Sequence, residues 1–325
     1  MEPDWQWYRS FLAVLDQGSL SAAARALGLT QPTLGRHVDA LEAALGLKLF
    51  VRSHDGFAPT DAAVSLRPYA AGLADTAAAL LRAASSHGEG VRGTVRITAS
   101  EVVGVEVLPP ILATLREQQP ELSIELVLSN EVDDLLRREA DIAVRMTRPT
   151  QAALVARRIG GIEVGLHARP DYLARCGTPK RVADLARHTL IGFDRETPWL
   201  RRLQQQLSGI GREQFALRAD SDLAQLAAVR AGFGLGFCQA TLARRDGLVR
   251  VLPTPFSFTL DTWLAMHEDL RTSPRCAVTF AALVDGLQAY IASEPALKRN
   301  PAPGTSPSPP PASTRPGARR RETAG

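Results

Sequence analysis

Residues 18–37 read GSLSAAARALGLTQPTLGRH, and this run contains the stop and start signals of two short helices. We expect Ser21 to cap a helix over residues 22–27, because a serine hydroxyl accepts the free N–H groups of a first turn. Gly28 ends that helix, since glycine adopts the left-handed conformation common just past a helix. Thr30 is expected to cap the next helix. Two helices joined by so short a turn are typical of a helix-turn-helix.

Apolar residues around this run repeat at helical spacing. One helix is predicted over residues 5–16 and another from Thr30 to Gly46, each with a single apolar face. The side chains of these faces are Tyr8, Phe11, Leu12 and Leu15 in the first helix, and Leu34, Val38, Leu41 and Leu45 in the last. Residues 47–50 and 57–58 are predicted as two short strands, joined by a turn at residues 54–56. The pattern therefore predicts three packed helices followed by a small hairpin, or wing.

The face of the last helix opposite its leucines carries polar and small residues near the helix start. A recognition helix presents such residues to base edges in the major groove, where arginine pairs with guanine and glutamine with adenine. The candidate DNA-contacting residues are Gln31, Pro32, Thr33, Gly35, Arg36 and His37 on the helix, with Arg52 and His54 on the wing for the sugar-phosphate backbone. Periodicity alone is equally consistent with an amphipathic three-helix bundle whose polar face is solvated.

Net charge does not decide between these interpretations. The whole chain carries +4, but residues 298–325 carry +5 by themselves, so the remainder is close to neutral. Those basic residues lie in a proline- and arginine-rich segment, residues 296–325, that has too little apolar surface to fold and is predicted to be a disordered tail. The case for nucleic-acid binding therefore depends on where individual side chains lie.

Residues 61–87 are rich in alanine and leucine. Leucines recur about every seven residues, at Leu66, Leu73, Leu80 and Leu81. This spacing is typical of a helix that packs against a copy of itself. Residues 88–90, Gly-Glu-Gly, break the pattern and are predicted to be a hinge.

From Gly93 onward, predicted strands and helices alternate. The strands are 94–98, 122–128, 141–145, 154–158, 162–168, 189–193, 214–218, 234–237 and 259–266; the helices are 105–118, 132–138, 198–207, 221–231 and 274–292. Such alternation predicts an α/β domain with largely parallel sheets.

Ligands of α/β sheets lie beyond the carboxyl ends of the strands, near helix N-termini. The residues predicted at these places are Ser100, Glu101, Ser129, Asn130, Arg145, Phe193 and Ser221, and we expect them to contact a small molecule. Arg145 is suited to clamp a carboxylate. The alternatives stay open, because serine and acidic residues commonly cap helices, and Arg145 is equally placed to pair with Asp141 or Glu139.

No catalytic, metal or cofactor motif occurs in the sequence. The six histidines and three cysteines lack metal-ligand spacing, and neither a nucleophile elbow nor a phosphate-binding loop is present. Cys176, Cys238 and Cys276 are interpreted as small buried residues of a reducing compartment. The N-terminus has no secretory signal, and the chain has no apolar run of about 18 residues. We therefore expect a cytoplasmic protein without membrane contact, metal or cofactor.

The N-terminal motifs, taken together, resemble the LysR-type transcriptional regulators. The matching residues are Phe11 to Val14, Gly18 to Gly28, Gln31 to Thr33, Leu41-Glu42, Leu45 to Phe50, Arg52, Gly56 and Pro59-Thr60. The match covers nearly all of residues 4–64 and is specific as a set. Two positions depart from the usual pattern: Gly35 stands in place of a small polar residue, and Thr30 in place of serine. The second change keeps a capping hydroxyl.

The resemblance implies a fold that is α+β overall. A winged helix-turn-helix DNA-binding domain is expected at 1–60, a linker and dimerisation helix with its hinge at 61–90, and an effector-binding domain at 91–295. The effector domain is expected to be a two-lobed α/β domain like a periplasmic binding protein, with lobe I at 91–160 and 268–293 and lobe II at 161–267. The similarity in this region is weaker and rests on residues 93–97, 108–109, 139–145 and 232–236.

The resemblance also implies partners. Linker helices would pair two subunits, so that two wings and recognition helices face the half-sites of a pseudo-palindromic operator in double-stranded DNA. Homodimers or homotetramers, a small-molecule effector and RNA polymerase are the expected partners. Ser100 and Ser129 match positions at which family members often contact their effectors.

Two other functions compete with a ligand-responsive regulator. A cytoplasmic solute-binding protein with an N-terminal extension would leave the specific N-terminal motif unexplained, and solute-binding proteins ordinarily carry a secretory signal. An enzyme with an added helix-turn-helix would need a nucleophile–base pair or a metal cluster. The regulator is therefore the favoured hypothesis, and no catalysis is expected.

Overall fold

The computed structural model describes residues 2–53, 56–85, 91–130, 140–149, 154–196, 201 and 211–293. Outside these residues lie His54, the predicted hinge at 88–90, the predicted helix at 132–138, nearly all of the one at 198–207, and the tail.

Three helices and a hairpin form the N-terminal part. They are α1 (Trp5–Gln17), α2 (Leu20–Leu27), α3 (Gln31–Leu45), β1 (Phe50–Ser53) and β2 (Gly56–Pro59), with β1 antiparallel to β2. Their shared core contains Phe11, Val14, Leu34, Val38 and Leu41, each at most 3% exposed. The apolar faces predicted from periodicity pack together except at the end of α3, where Leu45 is 37% exposed, and the winged helix-turn-helix is confirmed.

The start of α2 differs from the prediction. Ser19, rather than Ser21, caps the helix, because its Oγ accepts the N–H of Ala22 at 3.2 Å. Ser21 lies inside the first turn, where its hydroxyl donates to Gln31 Oε1 at 3.0 Å. The wing strands also differ: they begin at residues 50 and 56 instead of 47 and 57.

The Glu42 carboxylate joins α3 to the wing. Oε1 accepts the backbone N–H groups of Leu49 and Phe50 at 2.8 and 3.2 Å, and Oε2 accepts from Lys48 Nζ. Burial acts to raise the pKa of Glu42, but these three hydrogen bonds outweigh burial and the pKa is lowered. A charged carboxylate therefore serves as the hydrogen-bond partner for the chain entering β1.

A long helix, α4 (Asp61–Ser85), follows the wing and continues through Pro68. It exposes the large apolar side chains Val64, Tyr69, Leu73, Leu80 and Leu81. Near its end, Arg82 is buried, and its Nε lies 3.4 Å from Asp141 Oδ2, which also accepts the Arg96 N–H at 2.9 Å. This buried ion pair ties α4 to the C-terminal part.

The C-terminal part consists of a mixed main sheet, a small second sheet and surrounding helices. Its elements are β3 (Gly93–Ala99), a π-helical turn (Val103–Val107), α5 (Leu108–Gln118), β4 (Leu122–Leu128), β5 (Ile142–Arg145), β6 (Leu154–Ala168), α6 (Pro170–Cys176), β7 (Leu190–Gly192), β8 (Phe215–Arg218), α7 (Asp222–Arg230), β9 (Gly236–Gln239), α8 (Ala240–Arg245), β10 (Val249–Arg250), β11 (Ser257–His267) and α9 (Pro274–Ala292). Short 3-10 helices lie at Val182–Arg187, Arg212–Gln214 and Glu268–Leu270.

The main sheet has the strand order β10-β6-β11-β5-β3-β4, and β9 also pairs with β6. Strand β3 is parallel to β4 and β5, and β7 is parallel to β8 in the second sheet. However, β11 is antiparallel to β5 and β6, and β6 is antiparallel to β9 and β10. The prediction of largely parallel sheets is therefore wrong. The strands predicted at 154–158 and 162–168 are a single strand, β6.

Strands β6 and β11 run together through two separate cores. The first lobe, built on β3, β4, β5, α5 and α9, takes Ile159 and Leu264 from these strands; the second lobe, built on α6 to α8 and β7 to β9, takes Leu166. Where the strands cross, a Cβ on Gly161 would lie 2.4 Å from Thr259 Cγ2, so glycine permits the close approach. The register shifts at Thr262/Trp263. The result is a two-lobed α/β fold joined by crossing strands.

Replacing Glu42 by glutamine is expected to lower the free energy of unfolding of the N-terminal part by about 1–3 kcal/mol, because an amide group then faces buried N–H donors. Since folding lowers the pKa of Glu42, its contribution is present above about pH 4.5 and is lost as the pH falls through the lower folded value. Urea unfolding at pH 7 and pH 3 measures both effects.

Asp39→Asn, on the exposed side of the same helix, is the matched control and should unfold like the wild type. Equal midpoints for Glu42→Gln and wild type at pH 7 would contradict the role assigned to this carboxylate.

Candidate functional site

The start of α3 exposes one row of side chains while its leucines pack inward. Residues that are wholly or partly exposed are Gln31, Pro32, Thr33, Gly35 and Arg36. Leu34 and Val38, which alternate with them, are at most 3% exposed. The structure therefore brings these predicted DNA-contacting residues together on one surface, although their role stays a prediction.

Hydrogen bonds hold the first turn of this surface. Thr30 Oγ1 accepts the Thr33 N–H at 3.3 Å, as the sequence predicts for a cap, and lies 2.8 Å from Thr33 Oγ1. Arg36 Nη2 donates to Thr33 Oγ1 at 3.4 Å. Ser21 Oγ donates to the side-chain Oε1 of Gln31 at 3.0 Å, which ties the start of α3 to α2. These hydrogen bonds thus hold the side chains of the first turn of α3 in place in the free protein.

The other predicted DNA-contacting residues lie in different environments. Apart from the glycine itself, its chain neighbours and the adjacent backbone of α3, no described atom lies within 4 Å of where a Cβ on Gly35 would stand, so the space beside this glycine is open. His37 is only partly exposed, and its Nδ1 lies 2.8 Å from Ser10 Oγ of α1. Arg52 lies on β1 opposite Phe57, whereas His54 is outside the described residues.

A cavity of about 320 Å³ lies between the two lobes. Among the predicted ligand contacts, Ser100, Ser129, Asn130, Arg145 and Phe193 line it. The remaining lining residues are Val102, Met146, Thr147, Val164, Asp222, Gln225, Leu226, Phe237, Cys238, Gln239 and Leu260. Its walls are mostly apolar with a few polar groups, as in small-molecule sites generally. Phe237 and Cys238 stand at the carboxyl end of the predicted strand 234–237. The expectation that ligands lie beyond strand ends would therefore have indicated these two residues as well.

Two predicted contacts, Glu101 and Ser221, meet each other beside the cavity instead of lining it. Ser221 Oγ donates to Glu101 Oε2 at 2.8 Å, which joins the second lobe to the first. A second bond, from Asn130 Nδ2 to Asp222 Oδ2 at 3.2 Å, crosses the same gap. Burial and the nearby Glu101 carboxylate raise the pKa of Asp222. The lobes are therefore bridged on this side by bonds in which one partner is a neutral group.

Arg145 is 4% exposed at the end of β5 and lies on the cavity wall. Its Nη2 donates to Thr98 Oγ1 at 3.1 Å and its Nη1 to its own strand, at Val144 O, at 3.2 Å. The predicted alternative partner, Asp141, is instead paired with Arg82, and Glu139 lies outside the described residues. Arg145 therefore places a positive charge in a cavity wall that also carries the Asp222 carboxyl group and several neutral polar side chains.

Cys238 and His167 form part of the cavity's surroundings. Burial raises the pKa of Cys238 to about 12, so the thiol stays protonated at neutral pH. Burial lowers the pKa of His167 to about 4, and its Nδ1 lies 2.8 Å from Gly165 O and 3.4 Å from the sulfur. Both side chains are neutral; Cys238 lines the cavity, and His167 contacts Cys238. Cys276 is also buried, but Cys176 is exposed, contrary to the prediction.

A cluster of charges bridges the lobes elsewhere. We call Glu106 of the first lobe, with Arg230, Arg245 and Asp246 of the second, the Glu106 cluster. Glu106 accepts from Arg230 Nη1 at 2.6 Å and from Arg245, and Asp246 accepts from both arginines at 2.8 and 3.1 Å. The hydrogen bond from Arg230, then that from Arg245, lowers the pKa of Glu106 to about 2 despite burial. Ion pairs thus hold the two lobes together at this place.

Within the described ranges, no group of three or more histidine, cysteine, aspartate or glutamate side chains could hold a metal ion. None of the helices placed in the structure is long and apolar enough to cross a membrane.

Two protein-family models match the chain. The model described as a bacterial regulatory helix-turn-helix protein of the lysR family matches residues 5–64, and the LysR substrate binding domain matches residues 88–288. These matches cover both the N-terminal helices and the two lobes.

Individual proteins are similar as well. An HTH-type transcriptional regulator of Xanthomonas campestris pv. campestris (strain 8004) is 33% identical over 183 residues, which are 56% of this chain and 53% of that protein. The HTH-type transcriptional regulator PtxR of Pseudomonas aeruginosa is 29% identical over 293 residues, 88% of this chain and 92% of PtxR. Full-length CbnR, solved in complex with its target DNA, shares the fold with a TM-score of 0.60 at 19% identity, over 89% of this chain and 99% of CbnR.

Replacing Glu106 by glutamine is expected to lower the free energy of unfolding by about 1–3 kcal/mol at pH 7, because two partly buried arginines lose a shared carboxylate. Since the folded pKa of Glu106 is about 2, this contribution is complete above about pH 4.5 and is lost as the pH falls toward 2. Urea unfolding from pH 8 to pH 2.5 should show a constant difference that shrinks below pH 4.5. Glu117→Gln, exposed on α5, is the control; a difference independent of pH would refute the assignment.

Proposed function

The chain belongs to the LysR-type family of bacterial transcriptional regulators, and on that premise we propose that α3 and the wing bind an operator while the cleft between the lobes binds an effector. The observation that carries the proposal is the exposure of Gln31, Pro32 and Arg36 at the start of α3, directly over a packed apolar face. A helix so presented fits the major groove of duplex DNA.

We propose distinct roles for the exposed groups. The Arg36 guanidinium is suited to guanine and the Gln31 amide N–H groups to an acceptor on a base edge. The open space beside Gly35 permits close approach of a phosphate. Arg52 and His54 on the wing are assigned to the sugar-phosphate backbone. Because arginine and phosphate contacts release counterions, affinity should fall steeply with salt.

The exposed apolar side chains of α4 support pairing of two copies. Val64, Leu73 and Leu80 lie on a helix whose seven-residue leucine spacing suits self-association. A pair would present two α3 helices to the half-sites of a pseudo-palindromic operator, and pairs of pairs would form a tetramer. We propose RNA polymerase as a further partner of this assembly on DNA, which locates the protein in the cytoplasm.

For the effector we propose a small, partly apolar molecule with an acidic group. The apolar walls suit its body, Arg145 its acidic group, and Ser100, Ser129 and Asn130 its hydrogen-bonding groups. Phe193 would cover it, while Glu101 and Ser221 would act through the bond between the lobes. Its binding favours one lobe arrangement and so alters the DNA-bound assembly, without any chemical change to the ligand. The protein therefore acts as a regulator and not as an enzyme.

The proposed division of the chain follows these roles. Residues 1–60 bind DNA, 61–90 link and dimerise, 91–295 sense the effector, and 296–325 form a tail. Within the sensing domain, lobe I comprises 91–160 and 268–293, and lobe II comprises 161–267.

Replacing Arg36 by alanine is expected to weaken operator binding by about 1–3 kcal/mol, because a bidentate contact to a base is lost. The assay is fluorescence anisotropy on a duplex that the wild-type chain selects from a randomised pool, at several salt concentrations. Arg175→Ala removes the same charge from an exposed site on α6 and should bind like the wild type.

Equal affinity of Arg36→Ala and wild type would contradict the base contact. Failure of the wild type to enrich any duplex would favour a solute-binding protein instead.

Replacing Ser100 by alanine is expected to reduce the effector response at least tenfold while leaving operator affinity unchanged. Effectors are sought by thermal shift with a panel of small carboxylic acids, and each stabilising acid is titrated against operator-bound protein. Ser123→Ala, exposed on β4, is the control that removes a hydroxyl outside the cavity. Loss of both response and operator binding in Ser100→Ala would indicate a folding role.

A further inference from the structure

One hydrogen bond connects the body of the N-terminal domain to the side of α3. Ser10 is 1% exposed on α1, next to Phe11, yet its Oγ lies 2.8 Å from Nδ1 of His37. An apolar residue at this buried position would avoid the cost of burying a hydroxyl. His37 therefore supplies the hydrogen-bond partner that the buried Ser10 hydroxyl needs.

The bond fixes which edge of the imidazole faces outward. The two ring nitrogens lie on different edges, so a ring whose Nδ1 points to the buried Ser10 turns Nε2 away from α1. His37 lies one helical turn after Thr33 and directly after exposed Arg36, at the edge of the surface proposed to meet DNA. Since His37 is only partly exposed, its ring has few other orientations.

We propose that Ser10 is a positioning residue for His37, and that His37 Nε2 donates a hydrogen bond to an acceptor on the operator. In this proposal the Ser10 hydroxyl donates to Nδ1, so that the ring proton resides on Nε2, which matches the acceptors offered by a guanine edge or a phosphate. This inference rests on the proposed binding of DNA by α3. It adds an operator contact that depends on a residue of another helix.

Two substitutions separate the bond between Ser10 and His37 from the proposed bond between His37 Nε2 and the operator. His37→Asn places an amide near Nδ1 and can keep the bond to Ser10 but has nothing at the Nε2 position. Ser10→Ala keeps the whole imidazole but releases it. By anisotropy on the duplex selected by the wild type, we expect about a tenfold loss of affinity for His37→Asn and a threefold to tenfold loss for Ser10→Ala.

A double-mutant cycle provides the readout that a merely structural role would not give. In the His37→Asn background, Ser10→Ala should cause no further loss of affinity, because the contact from Nε2 to the operator that Ser10 would position is already absent. Reselection from the randomised pool with His37→Asn should relax one base position in each half-site if the acceptor is guanine, and should leave the preferred sequence unchanged if it is a phosphate.

The control is Ser65→Ala on α4, whose exposed hydroxyl donates to Ala62 O and which should bind like the wild type. Wild-type affinity in both Ser10→Ala and His37→Asn, even with a lowered melting temperature, would overturn this inference while leaving the proposed function in place. Additive losses in the double variant would also overturn it. A wild-type chain that enriches no duplex would overturn the proposed function and the inference with it.

Discussion

The packing of α3 against α1 and α2 sets the orientation on which the rest of the N-terminal part depends. Leu34 and Leu41 are at most 1% exposed, so α3 cannot rotate about its axis without opening the core. That rotation determines which side chains face outward, and Arg36 is among them. The same helix positions Glu42, whose carboxylate holds the start of β1. One buried face thus orients both the recognition surface and the wing.

Local patterns predicted the elements whose signals are local. The α3 helix, its Thr30 cap and the C-terminal helix at 274–292 follow from apolar spacing and capping residues, and the structure has all three. The α2 cap was misassigned because Ser19 and Ser21 both precede the apolar run, and only the backbone conformation distinguishes them. The direction of β11 and the continuity of β6 through Gly160 and Gly161 depend on strands far apart in sequence, which no local pattern encodes.

The residues of the candidate cleft were likewise predictable only where their signal is local. Ser100, Ser129 and Arg145 were found because they follow strands, which is a local property. The apolar walls, such as Val102 and Leu260, were not, because side chains of this kind also fill cores, and only the fold shows which of them face a cavity. Two bridges of different chemistry join the lobes: the Glu106 cluster of paired charges, and the hydrogen bonds from Ser221 and Asn130. Asn130 belongs both to the cavity wall and to the second of these bridges, so the cavity and the contact between the lobes share a side chain.

Cutting the chain between α4 and β3 would separate Arg82 from Asp141. Asp141 lies at the foot of β5, a strand whose four residues are all buried and whose last residue, Arg145, faces the cavity. A lobe pair isolated in this way would lose the guanidinium that pairs with the Asp141 carboxylate, and removal of one partner of a buried ion pair is destabilising. A single short strand separates that carboxylate from the cavity wall. The end of α4 is therefore a structural part of the two-lobed domain, and ligand affinities measured on the excised lobes would describe a molecule that lacks one of its buried ion pairs.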